Sequence, residues 1–353
     1  MKRTKLLVLF GGQSTEHEIS CISAGAVLKN TDLQRFNVKA CGITKEGDWI
    51  PQDGEDGAID TESIVSGAWA KARRGEKGIG PALDLIYGCD VVFPVMHGIM
   101  AEDGSIQGLF AVLGKPCVGA GILASAVCMD KVFTKTVLKQ AGIPVVPSVT
   151  LERTDISDMG RVRAEIASEI GYPCFVKPSN SGSSVGAFKV LSEDELDERL
   201  AEAAKFDRKI LVEKYINAKE IECAVLGNRD PKAATPGEII TTGEFYDYND
   251  KYINGTSSTR IPADISEEDL ERIRALALKA FTAIDCAGFA RVDFFKDRDT
   301  GDIYLNEINT IPGFTSISMY PKMWEHEGMP MKELITNLVE LAIEDRAENA
   351  REF

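Results

Sequence analysis

The sequence predicts a three-domain protein of mixed α/β and α+β class, in which the first domain holds an open parallel sheet. At 353 residues, the chain is longer than a single hydrophobic core usually organises. Its first third alternates short apolar runs with glycine turns and helical periodicity, which is typical of a parallel sheet. Near residue 122 the pattern changes to strand–loop–strand units and amphipathic helices. We therefore place the domains at 1–121, 122–213 and 214–353.

The composition is that of a soluble globular protein, with 44% hydrophobic and 27% charged residues. A net charge of −15 argues against nucleic acid or an anionic membrane as partner, since both require clustered basic surface. We find no signal peptide and no apolar run approaching the roughly 20 residues that span a bilayer. The eight cysteines are scattered without a CxxC pair, which predicts buried, reduced thiols in a cytoplasmic protein.

The first domain begins with a buried strand over residues 5–10, followed by the glycine turn GGQSTEHEIS and a helix. Further strands are predicted over 38–43, 89–95 and 115–119, with a helix beginning near Ser105. Residues 52–82 are rich in Gly, Asp, Glu and Lys, which indicates a solvated excursion with one helix. The fingerprint GxGxxG is absent, so the glycine turn is not a dinucleotide site of that kind.

Two polar residues stand at the ends of these strands, where open α/β sheets place ligands. Glu16 follows the first strand and could bind an ammonium group, or it could be a carboxylate that stabilises the helix dipole. His97 follows the third predicted strand, 89–95, and could contact a ligand, or it could be a hydrogen-bonded structural histidine. The residues alone leave both pairs of alternatives open.

The central segment predicts a loop suited to phosphate. A helix (MDKVFTKTVLKQAG) precedes the stretch 172–190, which reads as strand, Ser/Gly loop 179–186, and strand, with Lys177 ending the first strand. Free N–H and hydroxyl groups suit such a loop for folding over phosphates, although flexible linkers share this composition. It is not a Walker A loop, which would need GxxxxGK[ST] before a helix. An amphipathic helix capped by Ser192 and strands over 209–215 and 220–226 follow.

Residues 236–262 form a long aromatic and Ser/Thr-rich segment with little regular pattern, which we interpret as an active-site lid. A capped helix (SEEDLERIRALALKAFTAID) follows it, and another amphipathic helix ends the chain after Pro321.

A β-hairpin is predicted over 289–295 and 303–308, and it holds the cluster of polar residues on which the functional interpretation of the chain depends. Because side chains alternate along a strand, Arg291 and Asp293 share one face, and Glu307 and Asn309 share one face of the partner strand. Pairing the strands can gather these four groups into one patch. Oxygen ligands of this kind suit Mg²⁺ when phosphates complete its shell. The alternative is a surface hairpin with ordinary charge pairs.

Eight motifs occur in one order along the chain: GGQSTEHEIS, HGxxxEDGSIQG, MDK, VKPSNSGSSVG, EKYINAKEIECAVLG, FYDYNDKY, RVDFF and NEINTIPGFTSISMYP. Together they resemble the D-alanine–D-alanine ligase family of the ATP-grasp fold. The resemblance extends from Gly11 to about Pro321. It departs at Met100 and Ala101, where the family usually has glycines before the EDG, so the first-substrate pocket near His97 can differ in shape.

The resemblance implies a role for each matching residue. ATP would be bound by Lys131, Lys177, Ser184, Glu213, Lys214, Glu220 and, from the lid, Lys251. Two Mg²⁺ ions, or Mn²⁺, would be bound by Asp293, Glu307 and Asn309. The first D-alanine would be held by Glu16 with His97 nearby, and the carboxylate of the second by Ser318 with Met319. The oxyanion would be stabilised by Arg291 and the Gly313 backbone, while Ser183 and Tyr252 would link the phosphate loop to the lid through Glu16.

The implied activity is ATP-dependent ligation of two D-alanine molecules through an acyl phosphate, for peptidoglycan synthesis. The family also implies a homodimer in the cytoplasm. D-serine remains an alternative second substrate, and D-lactate is a weaker one, because FYDYNDKY resembles the lid of dipeptide-forming members. A nucleotide-binding regulator without turnover is the alternative from a different class.

Overall fold

The computed structural model describes residues 2–52, 59–71, 77–182, 185–240 and 258–350. Four residues singled out by the sequence, Ser183, Ser184, Lys251 and Tyr252, lie outside these ranges, as does most of the predicted lid.

The described strands fall into three sheets. They are β1 (Thr4–Gly11), β2 (Phe36–Ile43), β3 (Trp49–Pro51), β4 (Val91–Pro94), β5 (Ser148–Glu152), β6 (Cys174–Pro178), β7 (Phe188–Val190), β8 (Lys209–Lys214), β9 (Ala218–Leu226), β10 (Lys232–Ala233), β11 (Gly237–Ile240), β12 (Ser258–Arg260), β13 (Phe289–Asp297) and β14 (Ile303–Asn309).

The described α-helices connect and cover these sheets. They are α1 (His17–Asn30), α2 (Thr61–Ser66), α3 (Leu83–Gly88), α4 (Ser105–Val112), α5 (Ile122–Met129), α6 (Lys131–Gln140), α7 (Met159–Glu169), α8 (Glu193–Ala203), α9 (Glu267–Ala283), α10 (Met319–His326) and α11 (Met331–Glu348). Short 3₁₀ helices lie at Ala68–Lys71, Gly80–Ala82 and Arg153–Asp158.

The first sheet has the order β3-β2-β1-β4. Strand β1 is parallel to both β2 and β4 and is buried from Leu6 to Gly11, as the continuous apolar run predicts. Strands β2, β1 and β4 confirm the predicted parallel sheet, and the added edge strand β3 is antiparallel to β2. The strand predicted over 115–119 is wrong, because only Cys117 makes a bridge, to Val92. Pro116 lacks an N–H and thereby limits this pairing.

Part of the predicted solvated excursion is instead core. Ile64 and Trp69 are 0% and 2% exposed. The ring of Trp69 packs edge-on against Phe10 with 4.9 Å between centroids. Glycine in β2 permits this packing, since a Cβ on Gly42 would lie 2.3 Å from Trp69. The predicted helix is present as α2, and the solvated character is wrong for these two side chains.

The central sheet, β5-β8-β6-β7, is antiparallel and encloses its own core. Helices α7 and α8 cover it with Val162, Ile166, Leu196 and Leu200. Every buried member of this core lies between Val149 and Val212.

The third sheet has the order β12-β11-β9-β13-β14, with β10 paired to β9. Helix α9 packs on one side through Ile273, Ala277 and Phe281. Side chains of α5 and α6, including Cys128 and Leu138, belong to this core rather than to the central one. The domain limits at 121 and 213 stay a prediction.

An aromatic cluster joins the first and third sheets. The ring of Phe93 on β4 makes edge contacts with Phe289 and Phe314, at 6.5 and 5.9 Å between centroids. Phe289 and Phe314 both contact Tyr320 of α10. All four rings are fully buried, so this shared core fixes the carboxyl end of β4 beside the turn that follows β14.

All eight cysteines are free thiols and seven are buried, which confirms the prediction of buried reduced thiols. Within the described ranges, no helix combines the length and the apolar character required to cross a membrane.

Candidate active site

A cleft of about 910 Å³ lies where the three sheets meet. The first sheet and its loops contribute Glu16, His97 and Glu102 to the lining. The central sheet contributes Lys177 and Glu213, and the third contributes the strand pair β13–β14 with the turn that follows. The cleft therefore collects polar residues from all three parts of the described chain.

The predicted gathering of four side chains on the hairpin is confirmed. Arg291 pairs with Asn309 and Asp293 pairs with Glu307 in the register of β13 and β14, and all four line the cleft. Arg291 Nε and Nη2 donate to the two carboxylate oxygens of Asp293 at 2.7 Å each, and Asn309 Nδ2 donates to Asp293 Oδ2 at 2.9 Å. The role of these residues as metal ligands stays a prediction.

A further carboxylate on β9 belongs to this cluster. Glu222 stands beside Asp293 in the β9–β13 register, and Glu222 Oε2 lies 3.1 Å from Arg291 Nε. Burial alone would lower the pKa of Arg291, but the charges of Asp293 and Glu222 raise it well above its usual value. The guanidinium is thus permanently charged and held between carboxylates. Glu222 lies two residues after Glu220 on the same strand, so the two side chains share one face of the sheet. This alternation could have identified Glu222 from the sequence.

The donor chemistry of the hairpin fits a hard divalent cation. Asp293, Glu307 and Asn309 offer carboxylate and carboxamide oxygens on adjacent strands, the ligands Mg²⁺ prefers. In the part of the chain that the structure describes, no group of three His, Cys, Asp or Glu side chains is arranged as a metal site. A divalent cation at the hairpin would therefore need the amide oxygen of Asn309, and also oxygens from a ligand such as phosphate, to complete its coordination.

Two lysines, the buried Lys135 and the partly buried Lys177, pair with Glu213 at the end of β8. Lys135 Nζ lies 2.6 Å from Glu213 Oε1, and Lys177 forms an ion pair with Glu213 Oε2. Burial alone would raise the pKa of Glu213, but the charges of Lys135 and Lys177 lower it to about 2. Lys135, which sequence reasoning missed, lies one helical turn after Lys131 on α6. The arrangement directs Lys177 into the cleft.

The first residues of the predicted phosphate loop are hydrogen-bonded to the start of α6. Lys131 Nζ donates to the Ser181 carbonyl at 2.5 Å, and the Lys131 N–H donates to the Ser179 carbonyl at 3.1 Å. Asp130 caps the helix and accepts a 2.6 Å bond from Ser179 Oγ. Burial lowers the pKa of Lys131. The remaining predicted nucleotide residues in the described ranges, Lys214 and Glu220, also line the cleft.

Glu16 lies at the start of α1, is 8% exposed, and makes no side-chain cap bond to that helix. Its carboxylate is close to two glycines: a Cβ on Gly98 would be 2.8 Å from Glu16 Oε2, and one on Gly182 would be 3.1 Å away. Glu16 thus lies between the loop after β4 and the phosphate loop. This position favours contact with a ligand over stabilisation of the helix dipole alone.

His97 is 5% exposed and is hydrogen-bonded at both ring nitrogens. Nδ1 lies 3.0 Å from the Ile311 carbonyl, and Nε2 lies 3.2 Å from Ser23 Oγ. Because a carbonyl only accepts, Nδ1 carries the proton. Burial lowers the pKa of His97, so the ring is neutral and Nε2 accepts. The alternative of a structural histidine is thereby supported, although the ring also lines the cleft.

The turn after β14 presents backbone donors to the cleft. The Gly313 N–H donates to no described residue, whereas the N–H of Thr315 donates to Ser318 Oγ at 3.0 Å. Ser318 precedes the first turn of α10, and Met319 begins that helix. A helix N-terminus suits a carboxylate, which agrees with the predicted position of the second substrate.

Glu102 is a third polar residue of the cleft, after Glu222 and Lys135, that sequence reasoning missed. Its Oε2 accepts from the Gly98 N–H at 2.7 Å, and its Oε1 accepts from the Ile311 N–H at 3.2 Å. Burial, followed by the nearby charge of Glu16, raises the pKa of Glu102 to about 8. No sequence spacing indicated this pairing, because Ile311 lies 209 residues further along the chain.

Two family models match the chain. The model described as D-ala D-ala ligase N-terminus matches residues 5–120, and that described as D-ala D-ala ligase C-terminus matches 137–340. A D-alanine--D-alanine ligase of Clostridium novyi is 52% identical over 97% of this chain and 98% of its own length. A D-alanine--D-alanine ligase of Acetivibrio thermocellus is 48% identical over 99% of each chain.

Solved structures agree with the family models. The D-alanine-D-alanine ligase from Coxiella burnetii superposes with a TM-score of 0.84 at 37% identity, covering 99% of this chain and 96% of its own. The VanG D-Ala:D-Ser ligase from Enterococcus faecalis gives a TM-score of 0.82 at 35% identity, covering 97% of this chain and 100% of its own.

Proposed function

The chain belongs to the D-alanine–D-alanine ligase family, and on that premise we propose that it joins two D-alanine molecules using ATP. Its fold is the ATP-grasp architecture of the matching ligase structures. The product D-alanyl-D-alanine is a precursor of the peptidoglycan cell wall. The observation that carries the proposal is the meeting of Glu16, Arg291 and Lys177, from three separate sheets or their loops, around one cleft.

The reaction proceeds in two steps. The carboxylate of the first D-alanine attacks the γ-phosphate of ATP, which gives an acyl phosphate and ADP. The amine of the second D-alanine then attacks the carbonyl carbon, so that a C–N bond forms and a proton leaves the nitrogen. The tetrahedral adduct collapses as the C–O bond to phosphate breaks, and phosphate departs.

In this proposal, charged side chains bind the oppositely charged groups of D-alanine and ATP. We assign binding of the ammonium of the first D-alanine to the Glu16 carboxylate, and binding of the ATP phosphates to Lys131, Lys177 and Lys251. Glu213, Lys214, Glu220 and Ser184 complete the nucleotide site. Asp293, Glu307 and Asn309 would hold two Mg²⁺ ions, or Mn²⁺, which supply charge neutralisation to the transferring phosphoryl group when bound.

Arg291 and the Gly313 N–H stabilise the oxyanion of the tetrahedral adduct. Each such donor typically lowers the activation free energy by about 3 kcal/mol. Ser318 and the N-terminus of α10, beginning with Met319, receive the carboxylate of the second D-alanine. Ser183 and Tyr252 link the phosphate loop to the lid through Glu16. The proximity of Glu16 to Gly182 supports that link.

The test is product formation. Purified protein, ATP, Mg²⁺ and D-alanine are expected to yield phosphate and a dipeptide of the mass of D-alanyl-D-alanine. Asp293→Asn is expected to lower kcat at least ~100-fold and to weaken Mn²⁺ binding measured by electron paramagnetic resonance, because one charged ligand is lost. Asp297→Asn on the same strand, outside the cleft lining, is the control and should change neither. Absence of phosphate release from the unsubstituted protein leaves the regulator alternative standing.

D-serine is the second candidate for the second substrate, and the likeness to the VanG ligase supports its inclusion. Competition among D-alanine, D-serine and D-lactate, with product masses measured, separates them. We expect the D-alanine product to dominate, as the full-length relatives at 48–52% identity suggest.

Assembly and location are further proposals. We propose a homodimer, following the family, and light scattering during gel filtration measures the mass against the 38.5 kDa chain. We also propose that the enzyme acts in the cytoplasm, which its ATP requirement and its free thiols support.

A further inference from the structure

Glu102 connects two parts of the active site that are far apart in sequence. One carboxylate oxygen accepts the Gly98 N–H, in the loop after β4, at 2.7 Å. The other accepts the Ile311 N–H, in the turn after β14, at 3.2 Å. The side chain therefore ties the first sheet to the third at the floor of the cleft that it lines.

The backbone of Ile311 is hydrogen-bonded through both its N–H and its carbonyl. While Glu102 accepts from the Ile311 N–H, the Ile311 carbonyl accepts from His97 Nδ1 at 3.0 Å. Ser23 Oγ lies 3.2 Å from His97 Nε2 and accepts a longer bond from the Phe314 N–H at 3.4 Å. These bonds fix the backbone immediately before and after Gly313.

The contact uses both oxygens of the Glu102 side chain as acceptors, and they accept most strongly when the group is ionised. Both oxygens of an ionised carboxylate only accept, so each can receive one backbone N–H. A glutamine has one accepting oxygen and would direct its NH₂ group at an N–H donor, leaving that donor unpaired. A buried N–H left without an acceptor is unfavourable, so the substitution is expected to weaken the hold on one of the two backbone segments.

The charges around Glu102 connect this contact to the first substrate. Glu16 is the acidic neighbour, whereas Arg291 and Lys131 are the cationic groups that interact with it. An ammonium group bound at Glu16 would offset the repulsion between the two carboxylates and favour the ionised form of Glu102. Binding of the first D-alanine is thereby expected to strengthen both backbone bonds.

We propose that Glu102 is a positioning residue that sets the place of the Gly313 N–H in the oxyanion site and couples it to occupancy of the first-substrate site. The inference rests on the proposed function, in which Gly313 stabilises the oxyanion. Glu102 acts through the Ile311–Gly313 backbone and is not itself assigned contact with the reacting atoms.

The test compares Glu102→Gln, nearly equal in shape, with Asp103→Asn in the same loop. Asp103 accepts from the N–H groups of Met100 and Ser105 and makes no bond to the turn after β14, so it reports general loosening of the loop. For Glu102→Gln we expect kcat to fall ~10–100-fold, since a displacement near 1 Å can cost that much. KM for ATP should stay within about twofold of the unsubstituted value. For Asp103→Asn both constants should stay within about threefold.

Hydrogen exchange measured by mass spectrometry supplies a readout independent of turnover. In the unsubstituted protein, D-alanine should slow exchange in the peptide covering 309–315, and in Glu102→Gln this peptide should exchange faster and respond less. Equal losses of kcat in the two variants, or equal D-alanine-dependent protection in the unsubstituted protein and Glu102→Gln, would overturn the proposal. If the unsubstituted protein forms no dipeptide, the proposed function fails, while the exchange data still test the contact.

Discussion

Met100 has a backbone conformation that its side chain disfavours. Its φ is +69°, in the left-handed region, and its side chain is 49% exposed. A non-glycine residue there typically loses about 1–2 kcal/mol, whereas glycine loses about 0.5–1 kcal/mol through greater freedom of the unfolded chain. We therefore expect Met100→Gly to raise the free energy of unfolding by about 0.5–1 kcal/mol, measured by urea denaturation.

Ala101 supplies the matched control for that substitution. It is fully buried and is not among the positive-φ residues, so Ala101→Gly removes a packed methyl group and gains no relief of strain. We expect it to lower the free energy of unfolding by about 1 kcal/mol. Stabilisation by both glycines, or by neither, would contradict a strain specific to position 100.

The residues of the candidate site differ in how well their positions could be predicted from the sequence. Arg291, Asp293, Glu307 and Asn309 could be placed together because strand parity and a short hairpin fix their neighbours. Glu102 and Ile311 could not, since tertiary packing alone brings them together. His97 had two open interpretations because its partners, Ser23 and the Ile311 carbonyl, belong to separate elements.

At the scale of elements, helix α6 and strands β8 and β6 are joined by a triad of charges: Lys135 and Glu213, which are buried, and Lys177, which is partly buried. Removing one member of such a group leaves uncompensated buried charge, which typically costs about 3–5 kcal/mol. We expect Glu213→Gln to lower the free energy of unfolding at pH 7 by about that amount. Glu152→Gln on β5 loses an exposed ion pair with Arg208 and should change it by less than ~1 kcal/mol.

The pH dependence of this effect has a definite sign. The folded pKa of Glu213, about 2, lies below its ordinary value of 4.5, so the unfolded chain takes up the proton first as pH falls. The stability that ionised Glu213 contributes is fully present above pH 4.5 and is lost as pH falls toward about 2. The difference between the unsubstituted protein and Glu213→Gln should therefore narrow from pH 7 to pH 3.5 in denaturation experiments. A difference that stays constant over this range would contradict the assignment.

Strands and helices with continuous hydrophobic periodicity were predicted correctly. Segments whose conformation or burial depends on tertiary packing were predicted poorly. Strand β1 and helix α9 follow directly from an apolar run and a capped amphipathic pattern. The pattern around Trp69 gave no such signal, because only the approach permitted by Gly42 makes that ring part of the core. The predicted strand at 115–119 is reduced to one bridge, since Pro116 cannot donate to a partner strand.

For the whole molecule, three sheets could be predicted from changes in pattern along the chain, but their division into cores could not. The first and third sheets share one core in which Phe93, Phe289 and Phe314 are in contact. The central sheet keeps a separate core, formed entirely by residues from Val149 to Val212. Cores that share side chains unfold together, whereas a separate core can open by itself.

This division predicts two cooperative units rather than three. Native-state hydrogen exchange at increasing urea should give one opening free energy for amides of β1, β4, β13 and α11, and a lower one for β6 and β8. Phe289→Leu, a substitution in the shared core, should lower the first value by about 1 kcal/mol in all four elements and leave β6 and β8 unchanged. Val176→Ala, in the central core, should lower only the values of β6 and β8, by about 2 kcal/mol.

The shared-core prediction fails if Phe289→Leu affects only one of the two sheets that the aromatic cluster joins. If Phe289→Leu changes β13 and α11 but not β1 and β4, the aromatic contacts between the first and third sheets contribute little coupling. The turn at Ile311 would then be fixed mainly by the polar bonds of Glu102 and His97. If the core is shared as described, β4 and the turn after β14 stay together whenever the central unit opens. We then expect motions of the central sheet, which carries part of the proposed nucleotide site, to leave the proposed oxyanion site intact.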